Sequence, residues 1–432
     1  MLHADQPEIR ARLLEGEFGL EKESLRVDQD GFLAHTEHPF RQDDRHIVRD
    51  FCENQTEINT PVFKSVHGAV QSLNGYYEEI QRALKMRTPR EYLWPFSNPP
   101  YIRDEEDVPI ADFTGPMEEK TVYRRYLSDR YGRYKMTFSG IHVNFSFDQD
   151  LLERDFVLSG ESDFRRWKDS LYLTLARRLV AYGWLLVAAT AASPLLDGSF
   201  VEKGRYDVDE FNGMGSVRCS EMGYWNFFAP VLDYSSVRAY ADSIQHYVDE
   251  GWIQAPSELY YPIRLKPAGK NSLDNLRNNG INHIELRMFD LNPLVPVGVD
   301  ERDVEFAHLL MVWLSSTPDQ GLTRKDQVQA IQNFKNAAHF DLTTVKIVLP
   351  DGEIQIVAEE ANRVIRRMRE FYQDFPVHVH DVLDFEAGKF QKMENCYSWQ
   401  VRQQFSGGYV KKGLDLARKR QDEVPLLQEA AQ

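Results

Sequence analysis

With 432 residues, 42% hydrophobic and 27% charged, the chain has core material for one large domain or two modest ones. A net charge of −16 argues against a nucleic-acid partner, since phosphate backbones need a basic surface, but leaves room for a local Arg and Lys cluster that takes a small anion. Cys52, Cys219 and Cys396 are far apart with no CxxC pair, which argues against a disulfide framework or thiolate zinc site and fits a reducing, cytoplasmic compartment.

The N-terminal stretch MLHADQPEIRARLLEGEFG lacks the apolar core of a signal peptide. GLEKESLRV, residues 19–27, reads as a strand with Glu21, Glu23, Leu25 and Val27 on one face. Two carboxylates beside aliphatic neighbours need compensation, because burying an unpaired charge is costly. DGFLAHT follows as a second arm after a turn. DFCENQTEINTPV, residues 50–62, adds Asp50, Glu53 and Glu57. If its second half is a strand, Glu53, Gln55, Glu57 and Asn59 share a face, and spacing does not decide whether Asp50 joins them.

A helix is expected near Val66 to Lys85. MTFSGIHVNFSF, residues 136–147, alternates as a strand, with Ile141, Val143, Phe145 and Phe147 opposite His142, Asn144 and Ser146. Residues 162–192 read as one or two buried helices. The most hydrophobic run, 179–196, is interrupted by Gly183, Ser193 and Pro194, so a buried helix ending before Pro194 is favoured over a membrane span.

SELYYPIRLKP and INHIELRMFDL carry further strand patterns. In the second, Ile284, Leu286 and Met288 oppose His283, Glu285 and Arg287. VEFAHLLMVWLSS, from Val304, has helical periodicity. From about 325 to 432 a mostly helical annex is expected, with a Pro-Asp-Gly hairpin in VKIVLPDGEIQIV and an apolar helical stripe through Val357, Ala361, Val364, Ile365, Met368 and Phe371. His378 and His380 in VHVHD are of metal-ligand type, but a surface loop or strand is the expectation there. Without repeats or linkers, residues 1–432 read as one catalytic domain of α+β class with an antiparallel sheet.

Three strands thus pair an apolar face with a face of Glu, His, Asn and Arg. A solvated sheet face explains any one of them, but such faces usually carry many Lys, Glu, Thr and Gln. A sheet curled around a polar cavity explains all three. Converging acids need cations, and oxygen ligands with at most one His suit magnesium or manganese better than zinc. Arg287, on the face of Glu285, would meet an anion. Carboxylates, magnesium and arginine together describe a nucleoside-triphosphate site. The motifs GxxxxGK[ST], GxSxG and HExxH are absent, and GMGSVR around Gly213 lacks the third glycine of a dinucleotide loop.

Seven blocks carry a family resemblance: GLEKESLRV, DFCENQTEINTPV, LWPFSNPPYI, RYLSDRYGRYKMTFSGIHVNFSF, SVRCSEMGYWN, SELYYPIRLKP and GINHIELRMFDLNPLVPVGVD. In this order they resemble the bacterial glutamate–cysteine ligases, and more closely the ligase half of fused glutathione synthetases, without the ATP-grasp part of those proteins. The resemblance implies a glutamine synthetase-like fold, a strongly curved and mainly antiparallel sheet forming a funnel-shaped active site with helices outside. It implies that the γ-carboxylate of L-glutamate attacks the γ-phosphate of ATP, giving a γ-glutamyl phosphate. The amine of L-cysteine then displaces phosphate to give γ-glutamylcysteine, the first step of glutathione synthesis.

Carried over position by position, the resemblance implies that Glu21, Glu23, Asp50, Glu57, His142 and Glu285 hold roughly two or three Mg2+ ions, with Mn2+ as a substitute. It places Arg287 on the transferring phosphate and Arg218 on a substrate carboxylate, and these two with Glu285 form the catalytic set. Arg124, Arg264 and Lys266 fall near the nucleotide. Tyr123, Leu127, Phe138, Tyr224 and Tyr260, with Arg218, line the acceptor pocket. Two departures bear on the acceptor: Met136 stands where the family often has Gln, and Phe138 where it has Ile. They motivate a second reading, a γ-glutamyl ligase of the same mechanism acting on another amino acid or amine. A third is a nucleotide-binding regulatory pseudoenzyme. The expected partners are small molecules only, with no nucleic acid, no membrane and a monomeric state.

Overall fold

The computed structural model describes residues 1–201, 209–319 and 321–425. Its strands are β1 (Gly16–Val27), β2 (Ile47–Arg49), β3 (Gln55–Asn59), β4 (Tyr92–Leu93), β5 (Gly140–Phe147), β6 (Leu196–Asp197), β7 (Glu210–Phe211), β8 (Ile263–Lys266), β9 (His283–Asp290), β10 (Lys346–Val348) and β11 (Ile354–Ile356). The main sheet runs β2-β3-β1-β5-β9-β8, with β4 beside the end of β1, and every pairing is antiparallel. It is open, with β2 and β8 at its edges. β6 with β7 and β10 with β11 form two small separate ladders.

Period-two alternation explains what each face does. Leu20 on β1 stands opposite Val143 on β5, Val143 opposite Leu286 on β9, and Leu286 opposite Ile263 on β8. This apolar row crosses four strands and is almost wholly buried. Burial of each such aliphatic side chain contributes about 1.5–3 kcal/mol. The row packs under the helices Val66–Lys85, Phe164–Tyr182, Trp184–Thr190 and Glu301–Ser316. The polar residues between these positions therefore point to the opposite face.

On β1 that opposite face changes character along its length. Glu21 and Glu23 lie beside polar groups, whereas Leu25 and Val27 join a second apolar cluster with Trp94, Phe96, Leu127 and Met136. The acids therefore sit at the border of an apolar cap.

Several sequence expectations shorten on folding. DGFLAHT contributes only a single bridge, Val27 to Leu33, across a turn at Gly31, whose φ is 87°. The strand in SELYYPIRLKP begins only at Ile263, because Pro256–Glu258 is a 3-10 turn. MTF likewise precedes the strand, Tyr134–Thr137 being a 3-10 turn. Glu53 lies outside β3 and accepts hydrogen bonds from the His38 backbone (2.6 Å) and from Arg49 Nε (3.0 Å), so it does not share the face of Glu57.

The apolar run 179–196 splits into two helices bent by 59° at Gly183. A methyl group at Gly183 would lie 2.5 Å from Phe334 and 2.7 Å from the Leu179 carbonyl, so the sharp bend is also a close approach. Both helices are core elements, and no single described helix is long and apolar enough to cross a membrane.

The expectation for VHVHD is corrected: it opens the helix Val377–Gln391. Pro376 precedes the first turn, and Val379, Val382, Leu383, Ala387 and Phe390 bury one helical stripe, so the four-residue alternation was too short to decide. His378 is exposed. The rest of this region consists of helices and the hairpin β10–β11, and its last residues, 426–432, lie outside the described residues. One apolar core runs from Leu2 to Cys396, joining annex to sheet.

Candidate active site

Strand register brings the polar residues together. Glu21 stands opposite His142, Asn144 opposite Glu285, and Glu285 opposite Arg264. The His142 Nδ1 lies 2.8 Å from Glu21 Oε2 and 3.8 Å from Glu285 Oε1, and its Nε2 is 3.8 Å from Glu23 Oε1. Asn144 Nδ2 donates to Glu21 Oε1 at 3.0 Å. One ligand atom from each of Glu21, His142 and Glu285 lies within 4.8 Å of the others, a spacing that suits a shared metal ion.

Charge compensation differs between the two sides of this row. Lys266 Nζ lies 3.1 Å from Glu285 Oε1, and Arg287 Nη1 is 3.4 Å from both Glu285 oxygens. Burial works against the Glu285 charge, but Arg287, Lys266 and His142 outweigh it and hold the carboxyl far below its ordinary range. Burial also pushes Glu21 up, yet the His142 hydrogen bond prevails and the group ends below its ordinary value.

On the other side, Glu23 and Glu57 face each other directly across β1 and β3. Burial first, and then the neighbouring Asp50, pushes both upward, Glu57 well above the usual carboxylate range. Arg124, whose charge acts on Asp50 and Glu57, donates its Nε to the Asp50 carbonyl at 2.5 Å and its Nη2 to the Arg49 carbonyl at 3.4 Å. Opposed like charges destabilise a ladder. A row of carboxylate oxygens with one imidazole, and a buried Asn144 Oδ1 with no protein partner, fits a hard divalent cation such as magnesium.

Beside this row lies a cavity of about 260 Å3. Glu23, Asp50, His142, Arg218 and Arg287 contribute its polar lining, and Tyr123, Arg124, Leu127, Phe138, Tyr224 and Tyr260 form the rest of the predicted set that lines it. Its roof is the helix Glu118–Tyr131, which carries Tyr123, Arg124 and Leu127. Tyr224 and Tyr260 pack with ring centroids 3.8 Å apart and ring planes tilted by 42°, and the Tyr260 hydroxyl is buried without a partner. The Tyr224 hydroxyl donates to Met136 Sδ at 2.9 Å. Phe138 lies against Phe200, with ring centroids 4.9 Å apart.

Arg264 and Lys266 do not line this cavity: Arg264 Nη2 donates to the Pro256 carbonyl at 2.9 Å, and Lys266 serves Glu285. Glu21 borders a second hollow of about 210 Å3 with Asn59, Asn144 and His283. The acid row thus separates two hollows. Lys135 and Ser257 also line the larger one and carry no sequence expectation. Tyr131 packs on Tyr260 at 5.5 Å and donates to Glu258 at 2.7 Å. It lies one helical turn beyond Leu127 and two beyond Tyr123, a spacing that carries a signal only once the helix is known.

The profile of the family described as glutamate-cysteine ligase matches residues 3–252 and 228–337. The glutathione biosynthesis bifunctional protein GshAB of Listeria monocytogenes is 33% identical over 440 residues, covering 98% of this chain and 57% of that protein. The protein of the same name from Clostridium perfringens is 33% identical over 376 residues, covering 83% of this chain and 47% of its own. The chain therefore spans about half the length of these curated relatives. Among solved structures, a bifunctional glutathione synthetase from Pasteurella multocida superposes with a TM-score of 0.83 at 27% identity, covering 96% of this chain and 54% of that one. A glutamate–cysteine ligase from Francisella tularensis, in complex with AMP, has the same fold, with a TM-score of 0.83 at 23% identity over 95% of this chain and 90% of its own.

Proposed function

Because this chain belongs to the glutamate–cysteine ligase family, we propose that it joins the γ-carboxylate of L-glutamate to the amine of L-cysteine with conversion of ATP to ADP and phosphate. The observation that carries this reading is the asymmetry of the acid row: Glu285 is balanced by Arg287 and Lys266, while Glu23, Asp50 and Glu57 converge without enough cation. That deficit suits magnesium accompanying a nucleotide. The ions would be held by Glu21, Glu23, Asp50, Glu57, His142 and Glu285. When bound they would draw charge from the phosphate oxygens during transfer.

In the first step the glutamate γ-carboxylate bonds to the γ-phosphorus and the bond to the ADP oxygen breaks. Arg287, pinned beside Glu285 but still lining the cavity, places its guanidinium where negative charge spreads over the transferring group. Arg218 holds a substrate carboxylate. In the second step the amine attacks the acyl carbon, phosphate leaves, and one proton is lost from the amine. Tyr224, Tyr260 and Leu127 wall the place where the amine enters, and their bulk excludes water from the acyl phosphate. The rest of the nucleotide lies toward the second hollow beyond Glu21, near Lys266. The sheet is proposed to curve as a funnel around this row, and the shared core from Leu2 to Cys396 supports a single catalytic unit.

A second reading keeps the chemistry and changes the amine. It is favoured by one feature, the sulfur of Met136 occupying the Tyr224 hydroxyl beside Phe138, which makes that end of the cavity apolar. Hydroxylamine distinguishes the shared chemistry from the acceptor question. With ATP, magnesium and glutamate it should be converted to γ-glutamyl hydroxamate by trapping of the acyl phosphate. Absence of hydroxamate, with ATP still bound, would refute both readings.

A further inference from the structure

Gly140 opens β5 opposite Asp290 on β9, and its backbone is not in the left-handed region. Conformation therefore does not require glycine there, but space does. A methyl group built on Gly140 would lie 2.2 Å from both Cζ and Nη2 of Arg218 and 2.5 Å from its Nε. Carbon atoms normally approach no closer than about 3.5 Å. The guanidinium thus lies flat against the one position in the strand that lacks a side chain.

We propose that Gly140 is a positioning residue that seats the Arg218 guanidinium for a substrate carboxylate; this rests on the reading of Arg218 given above. In this seat Arg218 Nη2 donates to the Arg287 carbonyl at 2.9 Å and Nη1 to the Phe289 carbonyl at 3.3 Å, so β9 fixes the plane of the fork. The backbone around Arg218 is held independently. Asp290 accepts the Ser216 hydroxyl at 3.0 Å, and Ser216 Oγ accepts the Cys219 N–H at 3.1 Å. A methyl group on Gly223 would lie 1.8 Å from the Arg218 carbonyl oxygen, so that turn is closed tightly as well.

Gly140 also serves the acid row, since its N–H donates to Glu23 Oε2 at 2.8 Å. Alanine keeps that N–H but not the seat. Gly140→Ala therefore leaves the Glu23 contact in place and displaces only a flexible guanidinium, which separates the two roles in one substitution.

The test is steady-state kinetics of Gly140→Ala, Arg218→Lys and the double variant, varying glutamate, the amine and ATP in turn, with thermal melting as a folding control. Gly140→Ala should raise KM for one amino-acid substrate about tenfold, leave KM for ATP within about twofold, and melt near the parent. Arg218→Lys should raise KM for the same substrate, and adding Gly140→Ala to it should cause less than about a twofold further change, because the two act through one group. Unchanged amino-acid KM values in Gly140→Ala, with Arg218→Lys impaired, would overturn the seat while leaving the role of Arg218 standing. Effects that multiply in the double variant would overturn it too. An Arg218→Lys variant with normal KM values would remove the role of Arg218 and the inference with it.

Discussion

Glu23, Glu57 and Asp50 are the residues on which magnesium dependence should be easiest to see. An acid whose folded pKa is raised contributes stability that is fully present below its unfolded value of about 4.3 and is lost as pH rises through the folded value. Glu57 and Glu23 are raised by burial and by Asp50. Glu21 and Glu285 are lowered, so their contribution is present above the unfolded value and is lost only as pH falls. Above about pH 5 Glu57 and Glu23 therefore work against the metal-free fold, in the opposite sense to His38 and His308, which burial lowers to about 3. The rise in melting temperature on adding magnesium should therefore grow as pH rises toward 8, because the ion replaces protons on these acids. A melting temperature indifferent to magnesium at pH 8 would contradict the ligand assignment. Glu57→Gln should raise metal-free stability while abolishing turnover, an opposition that a purely structural role would not produce.

The acceptor wall makes a second prediction at this scale. Tyr260→Phe removes a buried hydroxyl that has no protein partner, so it should leave stability nearly unchanged and raise KM for the amine more than KM for ATP. Equal effects on both would place the amine elsewhere. Glu21, Glu23, His142, Glu285 and Arg287 were legible in the sequence because a strand puts alternate residues on one face and these faces carried the wrong residues for solvent, whereas Asp50 and Arg218, outside any strand, came only with the family resemblance. The partner of the Tyr224 hydroxyl was not, since a contact to Met136 across 88 residues has no local signal.

Among elements, β1, β5 and β9 were read correctly because each alternates over many residues, whereas short or turn-bounded stretches were not. VHVHD looked like a strand for four residues and became a helix once Val379, Val382 and Leu383 found a core. That same helix carries Lys389, whose ammonium is 2.7 Å from Asp303, 2.8 Å from Glu386 and 2.9 Å from the Ala189 carbonyl. All three side chains are buried, and they tie the annex to the helix Glu301–Ser316. Lys389→Met should cost about 3–5 kcal/mol in chemical denaturation by leaving two buried acids without their cation. A cost below about 1 kcal/mol would show that the acids are both neutral in the parent protein.

At the scale of the whole molecule, helices cover one face of an antiparallel sheet and a polar row occupies the other. The sequence made both faces visible but not the strand order, which places β9 between β5 and β8 and depends on pairings more than a hundred residues apart. The roof helix Glu118–Tyr131 was also hidden, because few of its residues are buried and it lacks an apolar stripe. The decisive measurement is release of ADP with ATP, magnesium and glutamate across a panel of amino acids and amines, with the product identified by mass. Cysteine should give by far the highest kcat/KM and a product of the mass of γ-glutamylcysteine. No amine-dependent ADP release from protein that binds ATP would contradict ligase activity outright.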